Sequence, residues 1–151
     1  MAQAYRRLYK YHNMPRTELI DRTYLHMARA YGNLNTCPRG SVGALITING
    51  KVVSMGYNAS PEGEPLCIND GCIIENGVCV RVSHAEANAF KNAMVGFLPK
   101  HSFDLYCTLM PCANCMAEWI IPNHTQRIIV PHRYVHSDGR YRTVLGFNGF
   151  L

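Results

Sequence analysis

The 151-residue sequence predicts an α/β sandwich, in which helices cover a β-sheet. Strand-like and helix-like segments alternate along the chain, and Asn49-Gly50 between two apolar runs indicates a β-hairpin. The composition, with 48% hydrophobic and 17% charged residues, is that of a folded globular protein. A chain of this length can bury its own core, so we expect one domain over residues 1–151.

A helix is predicted after Pro15. Thr17 is the expected N-terminal cap, because its hydroxyl can accept a hydrogen bond from an unpaired N–H group of the first turn. Gly32 is the expected stop. Five apolar side chains recur at helical spacing and would face the sheet: Ile20, Tyr24, Met27, Ala28 and Tyr31.

A hairpin and a long loop follow. Residues 42–48 and 52–57 are apolar, partly β-branched runs on either side of Asn49-Gly50, and they predict two antiparallel strands. Residues 59–81 contain turn formers and three cysteines without clear periodicity, which indicates a long loop. Ordered loops of this length usually have a function or a cross-link, so the cysteines need an explanation.

The second half of the chain alternates between helix and strand. A run rich in helix formers predicts a helix from residue 84 to about residue 95. Residues 104–108 are typical of a short strand, and Pro111 is expected to start a helix that carries residues 112–120. Residues 127–130 predict another strand, which completes the α/β pattern.

Charge is unevenly distributed along the chain. The net charge is +5, with +4 in residues 1–31, −2 in residues 32–126 and +3 in residues 127–151. Basic ends suit an anionic partner, such as a nucleotide phosphate, a nucleic acid or an acidic face of another subunit. Ordinary solvated surface charge explains the same pattern equally well.

The seven cysteines are the unusual feature of the composition. No apolar run approaches the roughly 18 residues of a membrane span, and the N-terminus lacks a signal-peptide stretch. We therefore expect a cytoplasmic protein without membrane contact. An odd number of cysteines in such a protein argues against a disulfide framework and favours metal or thiolate chemistry.

Two short motifs could hold a catalytic metal. His84 and Glu86 are followed by Pro111, Cys112 and Cys115, which together supply one imidazole, two thiolates and a carboxylate. Both motifs lie at predicted helix starts, where unpaired N–H groups favour thiolate over thiol. Three protein ligands leave the fourth position of zinc open to water, as in catalytic rather than structural sites.

Glu86 is then best interpreted as a proton carrier. Zinc would lower the pKa of a water in its open position, and Glu86 would move the proton to a ring nitrogen and assist the departure of an amine. This chemistry is hydrolytic deamination. His-x-Glu followed by Pro-Cys-x-x-Cys is the sequence pattern of zinc deaminases.

Beyond this pattern, the chain resembles the deoxycytidylate (dCMP) deaminases of the cytidine deaminase superfamily from about residue 37 to residue 130. The resemblance rests on Val42-Gly43-Ala44, Gly56-Tyr57-Asn58 with Ser60-Pro61 and Gly63, Cys79-Val80-Arg81, residues 84–89, and Thr108-Leu109 before Pro111-Cys112 and Cys115.

This resemblance implies conversion of dCMP and water to dUMP and ammonia, which supplies thymidylate synthesis. It also implies a three-layer α/β/α sandwich with a mixed central sheet of about five strands. Asn58 would lie near the sugar, the Ala85 N–H near the base carbonyl, and Tyr134 against the base or sugar. The 5′-phosphate needs cationic partners, for which Arg133, Arg140 and Arg142 are candidates unless they are solvated surface arginines.

The resemblance further implies regulation and assembly. Family members are commonly hexamers that dCTP activates and dTTP inhibits, so we expect a homo-oligomer with an effector pocket. Gly56, Tyr57 and Asn58 would form part of that pocket, and Mg²⁺ could accompany the dCTP effector.

Four further cysteines, Cys37, Cys67, Cys72 and Cys79, lie outside the catalytic motif. Four thiolates can enclose a tetrahedral structural zinc that fixes the long loop to the body, and related enzymes often have a second zinc with variable ligands. The alternative is four unrelated free thiols. Cys107 falls in a predicted strand, where a buried inert thiol is expected.

Two other classes of function remain open. The same chemistry could act on dCTP, free cytosine or cytidine, or a base in RNA, although the pI of about 8.9 is below the value above 9 typical of nucleic-acid-binding domains. A non-enzymatic module could bind nucleotides without turnover. Retention of Glu86 argues against that module, because a structural zinc site needs no acid/base group.

Overall fold

The computed structural model describes residues 14–93, 102–131 and 143–144. Its elements are α1 (Arg16–Gly32), β1 (Gly43–Ile48), β2 (Lys51–Tyr57), α2 (Cys67–Asp70), β3 (Ile74–Glu75), β4 (Val78–Cys79), α3 (Ala85–Asn92), β5 (Phe103–Cys107), α4 (Ala113–Cys115) continued by a π-helical turn (Met116–Ile120), β6 (Thr125–Ile129) and β7 (Thr143–Val144).

The central sheet is mixed and has five strands in the order β2-β1-β5-β6-β7. Strand β1 pairs antiparallel with β2 and β5, whereas β6 pairs parallel with β5 and β7. The predicted sheet is therefore confirmed. Strands β3 and β4 form a separate two-stranded hairpin.

Helix α1 covers one face of the sheet. Its buried Leu25 and Ala28 pack with Leu45, Tyr106 and Ile129 of the strands. Close approach of helix and sheet depends on glycine, because a Cβ atom at Gly43 would lie 1.7 Å from the carbonyl oxygen of Ala28. This layer supports the sheet from the side opposite to α3.

Helix α3 and the π-helical turn cover the other face. The cluster that they form with the sheet contains Ala44, Ile46, Ala85, Ala89, Phe90, Phe103, Leu105, Cys107, Cys115, Met116, Ile120, Ile128 and Val130. Helices on both faces give the three-layer α/β/α arrangement that the sequence predicts. None of the helices in the described part of the chain has the length and hydropathy that a membrane span needs.

The hairpin prediction is confirmed in its turn as well as its strands. Asn49 and Gly50 both have positive φ, at 51° and 76°, as the tightest hairpin turns require. The strand predicted over 104–108 runs from Phe103 to Cys107, and the one predicted over 127–130 runs from Thr125 to Ile129.

Helix α1 differs from its prediction at its start. It begins at Arg16 with Pro15 as its N-cap and without a side-chain cap hydrogen bond, so the expected cap at Thr17 was wrong. The proline fixes its own φ and supplies its carbonyl to the Leu19 N–H instead. The buried face also differs, because Met27 is 38% exposed and the helix instead buries Asp21.

Three further predictions are corrected. Residues 59–81 are not simply a loop, since they contain α2 and the β3–β4 hairpin, which the short apolar runs between cysteines did not reveal. The helix expected over 112–120 changes to π-helical geometry after Cys115. The helix expected to reach residue 95 ends at Asn92, with Ala93 as its C-cap.

Candidate metal and substrate site

Three metal-ligand side chains meet where two helices begin. His84 is the N-cap residue of α3 and Cys112 is that of α4, and Cys115 follows one turn later. The Nδ1 atom of His84 lies 3.4 Å from the Sγ atoms of both Cys112 and Cys115. His84 and Cys112 are 28 positions apart in sequence, and the fold brings their two motifs together into one cluster.

This cluster fits a zinc ion. Tetrahedral zinc with ordinary Zn–N and Zn–S bonds holds nitrogen and sulfur ligands about 3.6 Å apart. The observed separations of 3.4 Å match this spacing without rearrangement. The donor set of one imidazole and two thiols supplies three protein ligands, which leaves one tetrahedral position for water or substrate.

Glu86 lies beside these ligands and is 4% exposed. Its Oε2 atom is 3.8 Å from the Sγ atom of Cys115, and its Oε1 atom accepts a 3.2 Å hydrogen bond from the Cys107 thiol. Burial, followed by the charges of Glu86 and Cys112, raises the pKa of the Cys115 thiol. A cation at the cluster would offset this accumulation of negative charge, which is a second reason why the residues fit zinc.

The cluster opens into a cavity of about 270 Å³. Asn58 and Ala85, both predicted substrate contacts, line this cavity together with His84, Glu86 and Cys112. The remaining lining residues are Cys37, Arg39, Gly40, Val42, Gly77, Val78, Cys79, Val82, Leu109 and Met110. Part of the cavity wall therefore comes from residues 59–81, which we call the cysteine-rich segment.

The side-chain amide of Asn58 is held in place by the backbone of two residues that also line the cavity. Its oxygen accepts a 2.9 Å hydrogen bond from the Val42 N–H, and its nitrogen donates one of 2.9 Å to the Gly40 carbonyl. An amide has a further N–H and a further lone pair, so Asn58 can still bind a ligand group.

Arg39 is a cavity residue that the sequence did not single out. Its Nη2 atom donates a 3.0 Å hydrogen bond to the carbonyl of Gly77 at the β3–β4 turn. In the sequence, Arg39 is a single cation in the stretch Cys37-Pro38-Arg39-Gly40. This stretch comes just before Val42-Gly43-Ala44, one of the segments that carry the family resemblance. This local sequence could not show which element Arg39 faces, since Gly77 is 38 residues away.

The other four cysteines also form one cluster. The Sγ atoms of Cys37, Cys67, Cys72 and Cys79 all lie within 4.8 Å of one another. The Cys37–Cys72 and Cys67–Cys79 pairs are each 3.6 Å apart, close to the about 3.8 Å edge of a tetrahedron of zinc thiolates. All seven cysteines are free thiols.

The surroundings of this second cluster already favour one thiolate. Burial acts to raise the pKa of Cys79, but hydrogen bonds from the Arg81 backbone and Cys67 outweigh it and lower the pKa to about 7. Burial and a hydrogen bond with Cys79 raise the pKa of Cys67 to about 12. A cation would be needed to keep all four sulfurs deprotonated together.

A second cavity, of about 410 Å³, lies beside the loop after β2. Of the three expected effector residues, Tyr57 lines this cavity, whereas Asn58 lines the first cavity. Gly56 is packed under α3, where a Cβ atom would lie 2.3 Å from the Ala85 carbonyl oxygen. Glu62 and Glu64 also line the second cavity.

Tyr134 and the candidate phosphate-binding residues Arg133, Arg140 and Arg142 lie outside the described residues.

The family follows from a sequence comparison. Residues 18–131 match the model of the cytidine and deoxycytidylate deaminase zinc-binding region, and both ligand motifs lie within the match. The chain belongs to the cytidine and deoxycytidylate deaminase family. His84, Cys112 and Cys115 lie within the matched zinc-binding region, and their ligand atoms are close enough together to hold one metal ion.

Proteins similar in sequence to this chain include viral and bacterial proteins. The deoxycytidylate deaminase of Mycobacterium phage D29 is 28% identical over 127 residues, covering 74% of this chain and 93% of the phage protein. ComE operon protein 2 of Bacillus subtilis is 37% identical over 81 residues, which cover 54% of this chain and 43% of that protein.

A solved structure supports the same assignment. The dCMP deaminase of cyanophage S-TIM5, in complex with dCMP and dUMP, aligns with a TM-score of 0.65 and 27% identity. The alignment covers 84% of this deaminase-family chain and 90% of the cyanophage chain. This chain therefore shares its fold with a solved dCMP deaminase.

Proposed function

We propose that this protein hydrolyses dCMP to dUMP and ammonia. The observation that carries the proposal is the position of Glu86, buried beside the His84, Cys112 and Cys115 donors in one cavity. The likeness to dCMP deaminases of a mycobacteriophage and a cyanophage supports the choice of substrate. We also propose that residues 1–151 form one deaminase domain.

In the proposed reaction, His84, Cys112 and Cys115 would hold zinc. When bound there, zinc supplies an activated water and a positive charge near the reacting carbon. Glu86 would accept one proton from the water and pass it to the ring nitrogen, and would then take the second proton from the added oxygen and deliver it to the leaving amine. Water adds its oxygen to the ring carbon, the carbon–nitrogen bond to the amine breaks, and ammonia leaves.

Other cavity residues would orient the nucleotide. The Ala85 N–H lies in the first turn of α3, whose N–H groups have no acceptor within the helix, so it can bind the base carbonyl. Asn58 would hydrogen-bond the sugar through the N–H and the lone pair that its backbone contacts leave available. Tyr134 remains a proposed contact to the base or sugar.

Arg39 is the proposed partner of the 5′-phosphate. It is the cation among the described residues that line the cavity. Arginine binds phosphate through charge-assisted hydrogen bonds, and its guanidinium retains N–H groups beyond the one used by Gly77. Arg39 therefore joins Arg133, Arg140 and Arg142 as a candidate and would favour a nucleotide over a nucleoside.

A direct assay tests the reaction. Zinc-loaded full-length protein is incubated with dCMP, dCTP, deoxycytidine or a short single-stranded RNA, with and without dCTP as effector, and ammonia release is followed. We expect the highest kcat/KM with dCMP. Turnover of RNA or deoxycytidine in preference to dCMP would show that the substrate is that compound and not dCMP. No turnover under any condition would reject the proposed deaminase activity.

We further propose that Cys37, Cys67, Cys72 and Cys79 hold a second, structural zinc. Their mutual spacing and the four-sulfur donor set support a closed tetrahedral site. Metal analysis of protein purified under reducing conditions should find two zinc ions per chain. Cys67→Ser should reduce this to one, whereas Cys107→Ser, a substitution of another buried thiol, should keep two.

Regulation is a separate part of the proposal. We propose that dCTP activates and dTTP inhibits the enzyme, and the second cavity beside Tyr57 is large enough for part of a nucleotide. Glu62 and Glu64 at this cavity suit Mg²⁺ carried by a triphosphate. Assays with dCMP and each effector, with Mg²⁺ and with EDTA, test this; zinc content is measured in parallel.

Assembly and location are also proposals. A hexamer rests on the family resemblance and is tested by light scattering during size-exclusion chromatography. Cytoplasmic location agrees with seven unpaired thiols, which persist in a reducing compartment.

A further inference from the structure

The end of strand β5 contacts the carboxylate that the proposed reaction depends on. Cys107 is the last residue of β5 and is fully buried. Its thiol donates a 3.2 Å hydrogen bond to Oε1 of Glu86. The opposite carboxylate oxygen, Oε2, lies on the side of the metal-ligand thiol of Cys115. One oxygen of Glu86 is therefore held by the sheet, while the other is directed at the reaction site.

The backbone of Cys107 is fixed on both sides. It pairs with Ala44 of β1, and the next residue, Thr108, exchanges hydrogen bonds with Gly43 through its N–H and its hydroxyl. Gly43 in turn packs against the carbonyl of Ala28, with no room for a side chain. The thiol is thus presented to Glu86 from a rigid part of the fold.

The hydrogen bond from Cys107 gains importance when the metal site is filled. Within the described residues, the hydrogen bonds to the Glu86 carboxylate come from the thiols of Cys107 and Cys115. A cysteine that binds zinc is a thiolate and has no proton to donate. Cys107 is then the thiol donor that remains for Glu86.

We propose that Cys107 is a positioning residue for Glu86, which fixes the orientation of the carboxylate so that Oε2 meets the substrate. This inference rests on the proposed deaminase function. It replaces the expectation that Cys107 is an inert core thiol. A chain without this donor would still bind zinc and dCMP, but Glu86 would sample orientations in which proton transfer is slow.

Substitutions at Cys107 separate a donor from a space-filling role. Cys107→Ala and Cys107→Val remove the donor, and Val also fills the space and favours a strand. Cys107→Ser keeps an O–H donor. We expect Ala and Val to lower kcat about 10- to 100-fold with KM within about two-fold of the wild type, and Ser to recover most of kcat.

Leu105→Val is the matched control. It removes one carbon from the same strand and the same core cluster without touching Glu86, so kcat should stay near the wild-type value. Zinc content and thermal unfolding are measured for all variants. Equal kcat for Ala, Val and Ser variants, or a loss in Leu105→Val as large as in Cys107→Val, would overturn the proposal.

A spectroscopic measurement tests the contact without turnover. With both zinc sites filled, Cys107 is the one cysteine of seven that keeps a proton, so the infrared S–H stretching band that Cys107→Ser removes belongs to it. Glu86→Gln should shift this band, because an amide oxygen is a weaker acceptor than a carboxylate. An unshifted band would reject the contact, whereas absence of wild-type dCMP turnover would reject the proposed function instead.

Discussion

The guanidinium Nη2 atom of Arg39 donates a 3.0 Å hydrogen bond to the carbonyl oxygen of Gly77. This bond joins the segment before β1 to the turn between β3 and β4, and both segments line the cavity that contains His84 and Glu86. The proposed phosphate partner is therefore held against the β3–β4 hairpin. Substrate selection and the structure of that hairpin should be coupled.

Removal of the charge at Arg39 should weaken the enzyme selectively toward nucleotides. Arg39→Gln keeps an N–H donor for Gly77 and loses the cation. We expect kcat/KM for dCMP to fall about 10-fold, and that for deoxycytidine to change less than about two-fold, because only dCMP carries the phosphate. Steady-state assays with both substrates measure this.

Arg16→Gln is the charge-matched control for Arg39. Arg16 is exposed at the start of α1 and is not among the cavity residues. Its substitution should leave both substrates unaffected. If Arg39→Gln lowered kcat/KM for dCMP and deoxycytidine equally, its role would be in the cavity wall rather than in phosphate binding.

Loss of the Glu86 carboxylate should stop proton transfer but not metal binding. Glu86→Gln is nearly isosteric, and its amide cannot accept and return a proton. We expect kcat to fall by about 10²- to 10⁴-fold, the usual contribution of general acid–base catalysis. Ammonia release and zinc content of the same sample are the measurements.

The matched control for Glu86 is Glu118→Gln, which changes an exposed glutamate on the π-helical turn. It should turn over dCMP at the wild-type rate. Persistent activity in Glu86→Gln, with zinc bound, would show that another group carries the proton.

The two predicted ligand motifs show what local sequence can reveal. His84, Glu86, Cys112 and Cys115 could be predicted because each pair sits at one helix start, where two or three residues of spacing fix the geometry. The hydrogen bond from Cys107 to Glu86 could not be predicted, because it depends on how the end of a strand packs against a helix. The two residues are 21 positions apart in sequence. The sequence predicts that Cys107 is buried but not what it contacts.

The same distinction holds for the fold. The Asn49-Gly50 turn is a local property of the backbone, and it was predicted correctly. The β3–β4 hairpin in the cysteine-rich segment has strands of two residues, too short for an alternating pattern to appear. What holds it to the body is a cluster of side chains, Cys37 among them, that are far apart in sequence.

Tyr106 should stabilise the side of the sheet opposite to the proposed site. Its hydroxyl donates a 2.7 Å hydrogen bond to Asp21, within a network that includes Arg127 and Asp104. Tyr106→Phe leaves a buried carboxylate with one donor fewer. We expect a loss of about 1–2 kcal/mol in the free energy of unfolding, measured by urea denaturation, with kcat unchanged.

Tyr24→Phe is the matched control, since it also removes one tyrosine hydrogen bond, of 2.6 Å to the Gly50 carbonyl, but at an exposed position. It should cost less than about 0.5 kcal/mol, because water can replace the lost donor. Equal losses in the two variants would contradict a special contribution from the buried network.

The Tyr106 hydroxyl should also make stability depend on alkaline pH. Burial, followed by its hydrogen bond to Asp21, raises the pKa of Tyr106 above its ordinary value. A raised pKa means that the folded state holds the proton more tightly, so this stabilisation is complete below about pH 10 and declines as pH rises above it. The decline between about pH 10 and 12 should therefore be smaller in Tyr106→Phe than in the wild type.

Disruption of the four-cysteine cluster should affect substrate binding as well as stability. Cys72 belongs to the cluster but is not among the residues lining the cavity, whereas Cys37 and Cys79 belong to both. Cys72→Ser should therefore act on the cavity only through the cluster. We expect loss of one zinc per chain and a Tm lower by about 5–10 °C, which corresponds to about 2–3 kcal/mol in a chain of this size.

The kinetic consequence follows from the bond between Arg39 and Gly77. When the hairpin loosens, Arg39 loses its fixed position, so KM for dCMP should rise about five-fold or more while kcat falls less. Ile74→Thr, on the exposed face of β3, is the control that changes the hairpin but spares the sulfurs. A Cys72→Ser protein that loses zinc and Tm but keeps the wild-type KM would show that the cluster stabilises the fold without shaping the site.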